Sequence, residues 1–259
     1  MSTTSSRRRS RRGRASPNPS EDGAVVASYP SPMVALRPIL RRTLRHTLVG
    51  RARDTGQPEA GRFTRADADR LLEQTWKRFA ELAPGRPREP TRGARQNVLL
   101  AALTLAAFRA LLDAGVERGY AIELIGDAAW RLYAWWGRLD TLATAPFGGD
   151  PPERLRRRVN LFLRYPFGRP AYQYADRPQP RGRGLDMLRC PIADYMRGNE
   201  AADLCVGTWC NLDFALAEMW GGHLERQGTL AGGAPRCDFR FIASPGPIES
   251  LRRDEHVGR

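Results

Sequence analysis

Residues 224–243 have the sequence LERQGTLAGGAPRCDFRFIA, and this stretch decides the fold class. Two runs with alternating apolar residues, Leu224–Ala231 and Arg236–Ala243, flank the turn-forming residues 232–235. Glycine and proline between two such runs are typical of a β-hairpin. The stretch therefore predicts two antiparallel strands close to the C-terminal end of the chain.

The residues before this hairpin predict the rest of a small sheet. A helix is expected from Asn199 to Trp220, ended by two glycines at 221–222, and short strand-like runs are expected at Tyr172–Ala175 and Leu185–Cys190. Such elements predict a small antiparallel sheet that carries one long helix.

The first two thirds of the chain have helical periodicity. Thr64 and Asp67 form a capping-box-like pair at the start of one predicted helix, and Gly115 ends another. The helices expected here are residues 33–49, a helix after Thr64, residues 94–114, residues 120–142 and residues 151–165. The predicted fold class is α+β, with a helical N-terminal half and a small antiparallel sheet that packs on a long helix.

Composition divides the chain into four predicted segments. Residues 1–30 form an Arg/Ser/Pro-rich tail, predicted to be disordered because its composition cannot bury a core. Residues 31–165 form the helical region and 166–243 an α+β hydrolase-like domain that carries the cysteine motifs. Residues 244–259 are expected to be a flexible C-terminus.

The chain of 259 residues is strongly basic, with 42 Lys and Arg against 28 Asp and Glu, and Lys77 is its only lysine. The basic excess concentrates in residues 1–22 and 150–183. No zinc finger or helix-turn-helix accompanies it, so nucleic-acid binding is the weaker interpretation. A surface that attracts a small carboxylate substrate accounts for the charge at least as well.

The sequence also predicts where the protein works. Its longest apolar stretch, Val98–Phe108, has 11 residues, whereas a bilayer-spanning helix needs about 20. The N-terminal arginines are followed by polar residues and not by the apolar segment of a signal peptide. Four cysteines are too few for a disulfide scaffold. We expect a cytoplasmic protein with reduced thiols and no membrane association, in an oligomeric state that the sequence leaves open.

The four cysteines lie at positions 190, 205, 210 and 237. At about 100° per residue, Cys205 and Cys210 point about 140° apart on an α-helix, so they are predicted not to face one site. Cys205 falls on an apolar arc and is predicted to be a core residue. Cys210 shares its arc with Asp203 and Asp213, which makes it the candidate reactive thiol.

Three roles remain open for the cysteines: nucleophile, metal ligand or hydrophobic packing. A nucleophilic thiol needs a nearby base or a lowered pKa, and His223 is the only histidine in the region. Zinc is an alternative, since Cys190, Cys210, Cys237 and His223 would form an acceptable ligand set. The favoured interpretation uses no cofactor.

Four motifs occur in order in the C-terminal third: CPIAD at 190–194, CNLD at 210–213, LERQGTLAGG at 224–233 and CDFRF at 237–241. In this order and spacing they resemble the L-2-amino-thiazoline-4-carboxylic acid hydrolase family over residues 165–243. The resemblance implies a small-molecule hydrolase that opens the cyclic amidine of aminothiazoline carboxylate to N-carbamoyl-cysteine.

The resemblance and the chemistry of ring opening together define candidate site residues. The motif positions that the resemblance carries over are Cys190, Cys210, Asp213, Thr229, Cys237 and Asp238. Ring opening needs a nucleophile, a base or orienting group and an acid, and we assign these catalytic roles to Cys210, Asp213 and His223. Arg226 is expected to hold the substrate carboxylate, and the other substrate-binding candidates are Cys190, Thr229, Cys237 and Asp238.

A second resemblance keeps a non-enzymatic alternative open. The hairpin that ends in Cys237-Asp238-Phe239 is also similar to the 4-vinyl-reductase and TRAPP-type ligand-binding fold. That resemblance implies a binding or regulatory module that holds a small molecule or a partner without catalysis.

Overall fold

The structure is a computed structural model that describes residues 31–144 and 148–244, with side chains described except at 31–35, 58 and 135–144. The predicted tail at 1–30 lies outside the described residues, as does the predicted flexible C-terminus apart from Ser244.

The described chain is a set of helices followed by a mixed helix and sheet region, which confirms the predicted α+β class. The first region contains α1 (Ser31–Leu48), a short 3-10 helix (Pro58–Ala60), α2 (Arg65–Leu82), α3 (Arg92–Asp113), α4 (Arg118–Thr144) and α5 (Pro151–Arg164). The second contains β1 (Gln173–Arg177), β2 (Gly182–Arg189), α6 (Pro191–Arg197), α7 (Ala202–Cys205), a π-turn (Val206–Cys210), α8 (Asn211–Met219), β3 (Gly222–Glu225) and β4 (Cys237–Ala243).

Side-chain caps fix where several helices begin. Thr64 Oγ1 accepts a hydrogen bond from the Asp67 N–H at 3.2 Å, and Asp67 Oδ2 accepts one from the Thr64 N–H at 2.7 Å. This reciprocal pair confirms the predicted capping box at α2. Asp150 caps α5 in the same manner, with prolines at the first helical positions.

The four strands form one antiparallel sheet in the order β1-β2-β4-β3. Leu185 of β2 pairs with Phe239 of β4, and Leu224 of β3 pairs with Phe241. Because side chains alternate between the two faces of a strand, these apolar residues share the face that packs on the helices. The opposite face is polar.

One buried carboxylate organises the polar face. Asp186 is 1 % exposed and lies within salt-bridge distance of Arg177, Arg236 and Arg240, at 2.7, 3.3 and 3.0 Å. Burial opposes ionisation of this carboxyl, but hydrogen bonds from Arg177 and Arg240 hold the pKa of Asp186 below its ordinary value. The cluster therefore ties β1, β2 and β4 together away from the helices.

The predicted strand at Leu224–Ala231 is shorter in the structure, where β3 ends at Glu225. Residues 226–236 form a loop because side chains of β4 satisfy its backbone groups. The Asp238 carboxylate accepts hydrogen bonds from the N–H groups of Gln227 and Gly228, at 3.1 and 2.8 Å. The predicted hairpin pairing of β3 with β4 is present, but with this longer connection.

The helical segment after β2 also differs from the prediction. Helix α6 was not predicted, although Pro191 at its first position is a common helix-start signal. The helix expected from Asn199 begins at Ala202 and is interrupted by the π-turn before it continues as α8.

Two hydrophobic cores meet between the helices and the sheet. One core joins α1–α4, α6 and α7, and the other joins α5, α8 and the sheet. Cys190, Phe167 and Leu230 pack against both cores. By length and composition α3 could cross a bilayer, and 56 % of its most apolar window is buried inside the protein, as in a core helix.

Candidate functional site

The π-turn brings two cysteines to one side of the helix. In a π-turn each hydrogen bond spans five residues instead of four, so Cys205 and Cys210 lie one turn apart. Their thiols form a hydrogen bond with each other, and both line the same cavity. The prediction that they face different sites is therefore wrong, because it assumed regular α-helical spacing.

Gly207 allows the π-turn to pack closely on α4. A Cβ at this position would lie 2.4 Å from Cγ2 of Ile122, which is closer than two carbon atoms can approach. The absence of a side chain at Gly207 thus places the π-turn, and with it both thiols, against the preceding helix.

A cavity of about 90 Å³ lies between the two cores. A single water needs about 10–15 Å³, so the cavity is larger than a one-water void. All four cysteines of the chain line it, together with Asp213. The cavity is built from both predicted regions, since Tyr133 of α4 and Phe162 of α5 also line its wall.

Local backbone structure positions two of the thiols. Cys190 is the N-cap residue of α6, where its side chain forms no capping hydrogen bond. Its neighbour Arg189 is fixed by a bidentate ion pair with the buried Glu89, at 2.8 and 3.0 Å. Cys237 Sγ accepts the N–H of Leu230 at 3.1 Å. Both thiols are therefore held in place by fixed parts of the fold.

Three of the thiols keep their protons at neutral pH. Burial raises the pKa of Cys190 far above its ordinary value and that of Cys237 to about 12. The hydrogen bond with Cys210 is the largest cause of the raised pKa of Cys205, and burial adds to it. The raised pKa of Cys205 thus reflects its contact with Cys210 in the cavity wall.

Asp213 is the carboxyl group of the cavity. Burial raises its pKa to about 7, although Arg226 opposes the shift through its charge and a hydrogen bond. Arg226 Nη1 lies 2.9 Å from Asp213 Oδ2 and 3.1 Å from the Cys210 carbonyl oxygen. A carboxyl group with this pKa exchanges protons readily at neutral pH, as general acid–base catalysis requires.

Arg226 acts on Asp213 from outside the cavity. Its side chain is 4 % exposed, and its guanidinium lies 4.8 Å from the ring centre of Phe214 and 5.4 Å from that of Phe239. It is absent from the cavity lining. The structure therefore places the predicted carboxylate-binding residue behind Asp213, where it orients that group.

Aromatic rings form much of the remaining wall. Phe239 and Phe241 stack with 5.7 Å between ring centres, and Phe162 packs edge-on against Trp220 at 5.2 Å. The Tyr172 hydroxyl accepts a hydrogen bond from Asn97 Nδ2 at 2.9 Å, which fixes this ring against α3. The aromatic lining residues are Tyr133, Phe162, Phe167, Tyr172, Trp209, Trp220, Phe239 and Phe241.

His223 lies on the wrong face of the sheet for its predicted role. It pairs with Ile242 in β3–β4, whereas its neighbour Leu224 pairs with Phe241 on the cavity face. Its side chain is 49 % exposed and lies 3.7 Å from Glu225. The alternation of side chains along the strand thus turns His223 away from the thiols, which corrects its assignment as the acid.

Thr229 and Asp238, both predicted to bind substrate, also lie outside the cavity lining. Thr229 Oγ1 accepts the N–H of Gly232 at 2.9 Å and shapes the turn there. Asp238 holds the start of the same loop through the backbone of Gln227 and Gly228. Both residues support the loop that follows β3. Asp203, expected beside Cys210, pairs instead with Arg118 at 2.6 Å.

The zinc set considered from the sequence is not assembled, because His223 faces away from Cys190, Cys210 and Cys237. Within residues 31–144 and 148–244, no three His, Cys, Asp or Glu side chains converge closely enough to hold a metal ion. The four thiols line one cavity without forming such a cluster.

Tyr133 is a cavity residue that sequence reasoning missed. Cys205 is the buried core residue that the sequence predicts, at 1 % exposed, and the π-turn also places it in the cavity wall. Tyr133 lies on α4, far from the cysteine motifs in sequence. Burial and the nearby Asp213 raise the pKa of the Tyr133 hydroxyl, which shows that the two groups are neighbours.

The fold and the cavity together define an α+β protein with a thiol-lined cavity. Residues 165–241 match the family model for L-2-amino-thiazoline-4-carboxylic acid hydrolase, which confirms the predicted resemblance over that region. The match spans less than a third of the chain and supports a hydrolase-type function. Searches among curated proteins and among solved structures found no match.

Proposed function

We propose that the protein is a cysteine-dependent hydrolase that opens a small cyclic amidine of the aminothiazoline type. The observation that carries the proposal is the convergence of Cys210, Cys205 and Asp213 on one small cavity within the region that matches the hydrolase family. The chemistry needs a sulfur nucleophile, a proton-transfer group near neutral pH and a site that excludes bulk water.

The first half of the reaction forms a bond between Cys210 and the substrate. The sulfur of Cys210 attacks the amidine carbon as its proton passes to Asp213. The bond between that carbon and the ring sulfur then breaks, and the ring sulfur takes a proton to leave as a thiol. The product of this half-reaction is an isothiourea in which Cys210 holds the opened substrate.

The second half releases the product with water. Asp213 removes a proton from a water molecule that attacks the same carbon, and the carbon–sulfur bond to Cys210 breaks. Cys210 recovers a proton and a urea leaves, so the net change is substrate plus water to a carbamoyl thiol. Cys205, whose thiol contacts Cys210 in the cavity wall, takes the place of His223 as the group that assists proton return.

The test measures ring opening directly by mass spectrometry of the carbamoyl thiol product. Wild-type protein and a His223→Ala variant should turn over a cyclic amidine, since His223 lies outside the cavity. A Cys210→Ala variant should lose about 10³-fold or more in rate while it still binds the substrate. Binding without turnover by the wild-type protein would favour the alternative function, a non-catalytic binding module.

A further inference from the structure

We propose that the cavity selects a small flat cation, a protonated cyclic amidine that carries no carboxylate, and that Asp213 is the counterion of this cation. The inference rests on the proposed hydrolase function and specifies its substrate class. It reverses the expectation that an arginine holds a substrate carboxylate.

The charges of the cavity wall carry this argument. Among the described lining residues there is no arginine, lysine or histidine, and Asp213 is the only carboxyl group. Arg226, a described cation beside the cavity, already binds Asp213 and the Cys210 carbonyl from behind the wall. A substrate carboxylate would lose its water shell here without a partner, which costs several kcal/mol.

One carboxylate oxygen of Asp213, Oδ1, is available to accept a hydrogen bond from a cation. Arg226 contacts Oδ2, and no described group donates a hydrogen bond to Oδ1. An amidinium N–H that binds Oδ1 would form a charge-assisted hydrogen bond, the stronger class of hydrogen bond.

The aromatic wall favours the same ligand. The parallel rings of Phe239 and Phe241, 8° apart in orientation, lie beside the indole of Trp220. Flat cations are attracted to aromatic faces, with larger energies where water is excluded.

The test compares three probes of the same ring shape: 2-amino-2-thiazoline, its 4-carboxylate and the uncharged 2-thiazolidinone. Binding is followed by calorimetry, and by the fluorescence of Trp209 and Trp220 in the wall. The wild-type protein should bind the cation at least ten-fold more tightly than either of the other probes. Asp213→Asn should abolish this preference, and His223→Ala should retain it.

Equal or tighter binding of the 4-carboxylate would overturn the inference, and so would failure of the cation to bind. Ring opening is measured separately on the same samples, so the two proposals fail in different ways. If the protein binds the 4-carboxylate more tightly than the cation and opens its ring, the hydrolase function is supported and the cation site is rejected. Preferential binding of the cation without any turnover supports the cation site and rejects the hydrolase function.

Discussion

Arg226 Nη1 donates a hydrogen bond to Asp213 Oδ2 at 2.9 Å while Asp213 lines a cavity that Arg226 does not reach. The pair joins the loop after β3 to the helix that carries Cys210. It holds a partly buried carboxyl group, whose side chain is 27 % exposed. Partial burial raises the pKa of this group to about 7, so it can ionise in the neutral range.

Replacement of Arg226 by glutamine should move the pH dependence of the reaction. Arg226 lowers the pKa of Asp213 against the effect of burial, so its loss raises that pKa further. The acid limb of kcat/KM should shift upward by on the order of one pH unit. Arg226→Lys is the matched control, since it keeps the charge and should shift the limb less. An unchanged acid limb in Arg226→Gln would show that Asp213 does not set it.

Asp213 should also make stability depend on pH. Its pKa is higher in the folded chain than the ordinary 3.8, so its contribution to stability is full below about pH 4 and is lost as pH rises through about 7. Between pH 5 and pH 8, Asp213→Asn should gain about 2–3 kcal/mol in unfolding free energy relative to the wild type. Urea unfolding at both pH values measures this difference. A pH-independent difference between the two proteins would mean that the carboxyl is not buried as described.

The contact of Cys205 with Cys210 should affect both reactivity and stability. Cys205→Ala removes a buried sulfur that is 1 % exposed and should cost about 1–2 kcal/mol of unfolding free energy. It should also change the rate at which iodoacetamide alkylates Cys210 at neutral pH, because the thiol that contacts Cys210 is lost. An unchanged alkylation rate with reduced stability would return Cys205 to a packing role.

Asp238 should matter for stability and not for chemistry. Its carboxylate accepts the N–H groups of Gln227 and Gly228, so Asp238→Ala should cost about 1–3 kcal/mol. Asp238→Asn is the control, because its amide oxygen keeps one acceptor and should cost less. Loss of turnover by the folded Asp238→Ala protein, with its thermal stability intact, would place Asp238 in the site after all.

Sequence patterns predicted the parts of this protein that depend on local periodicity. The capping box at Thr64 and the antiparallel pairing of the last two strands follow from spacing alone. Alternation along a strand also predicts which side chains share a face. Which of the two faces carries His223 depends on the register of β3 against β4.

Other features depend on contacts between distant residues. The π-turn adds one residue to a helical turn, and its close packing on Ile122 through Gly207 is tertiary. The position of Arg226 behind Asp213 follows from the course of the loop that Asp238 holds. Tyr133 reaches the cavity only because α4 packs on the π-turn and α8.

The most direct test of the account is the mass of Cys210 during a single turnover. Protein in excess over 2-amino-2-thiazoline is quenched in acid within milliseconds to seconds, digested and analysed by mass spectrometry, with Cys210→Ala and His223→Ala in parallel. The account predicts a transient adduct of the opened ring on the Cys210 peptide of the wild-type and His223→Ala proteins, and neither adduct nor product with Cys210→Ala. Ring opening by Cys210→Ala at close to the wild-type rate, without an adduct on any cysteine, would contradict it.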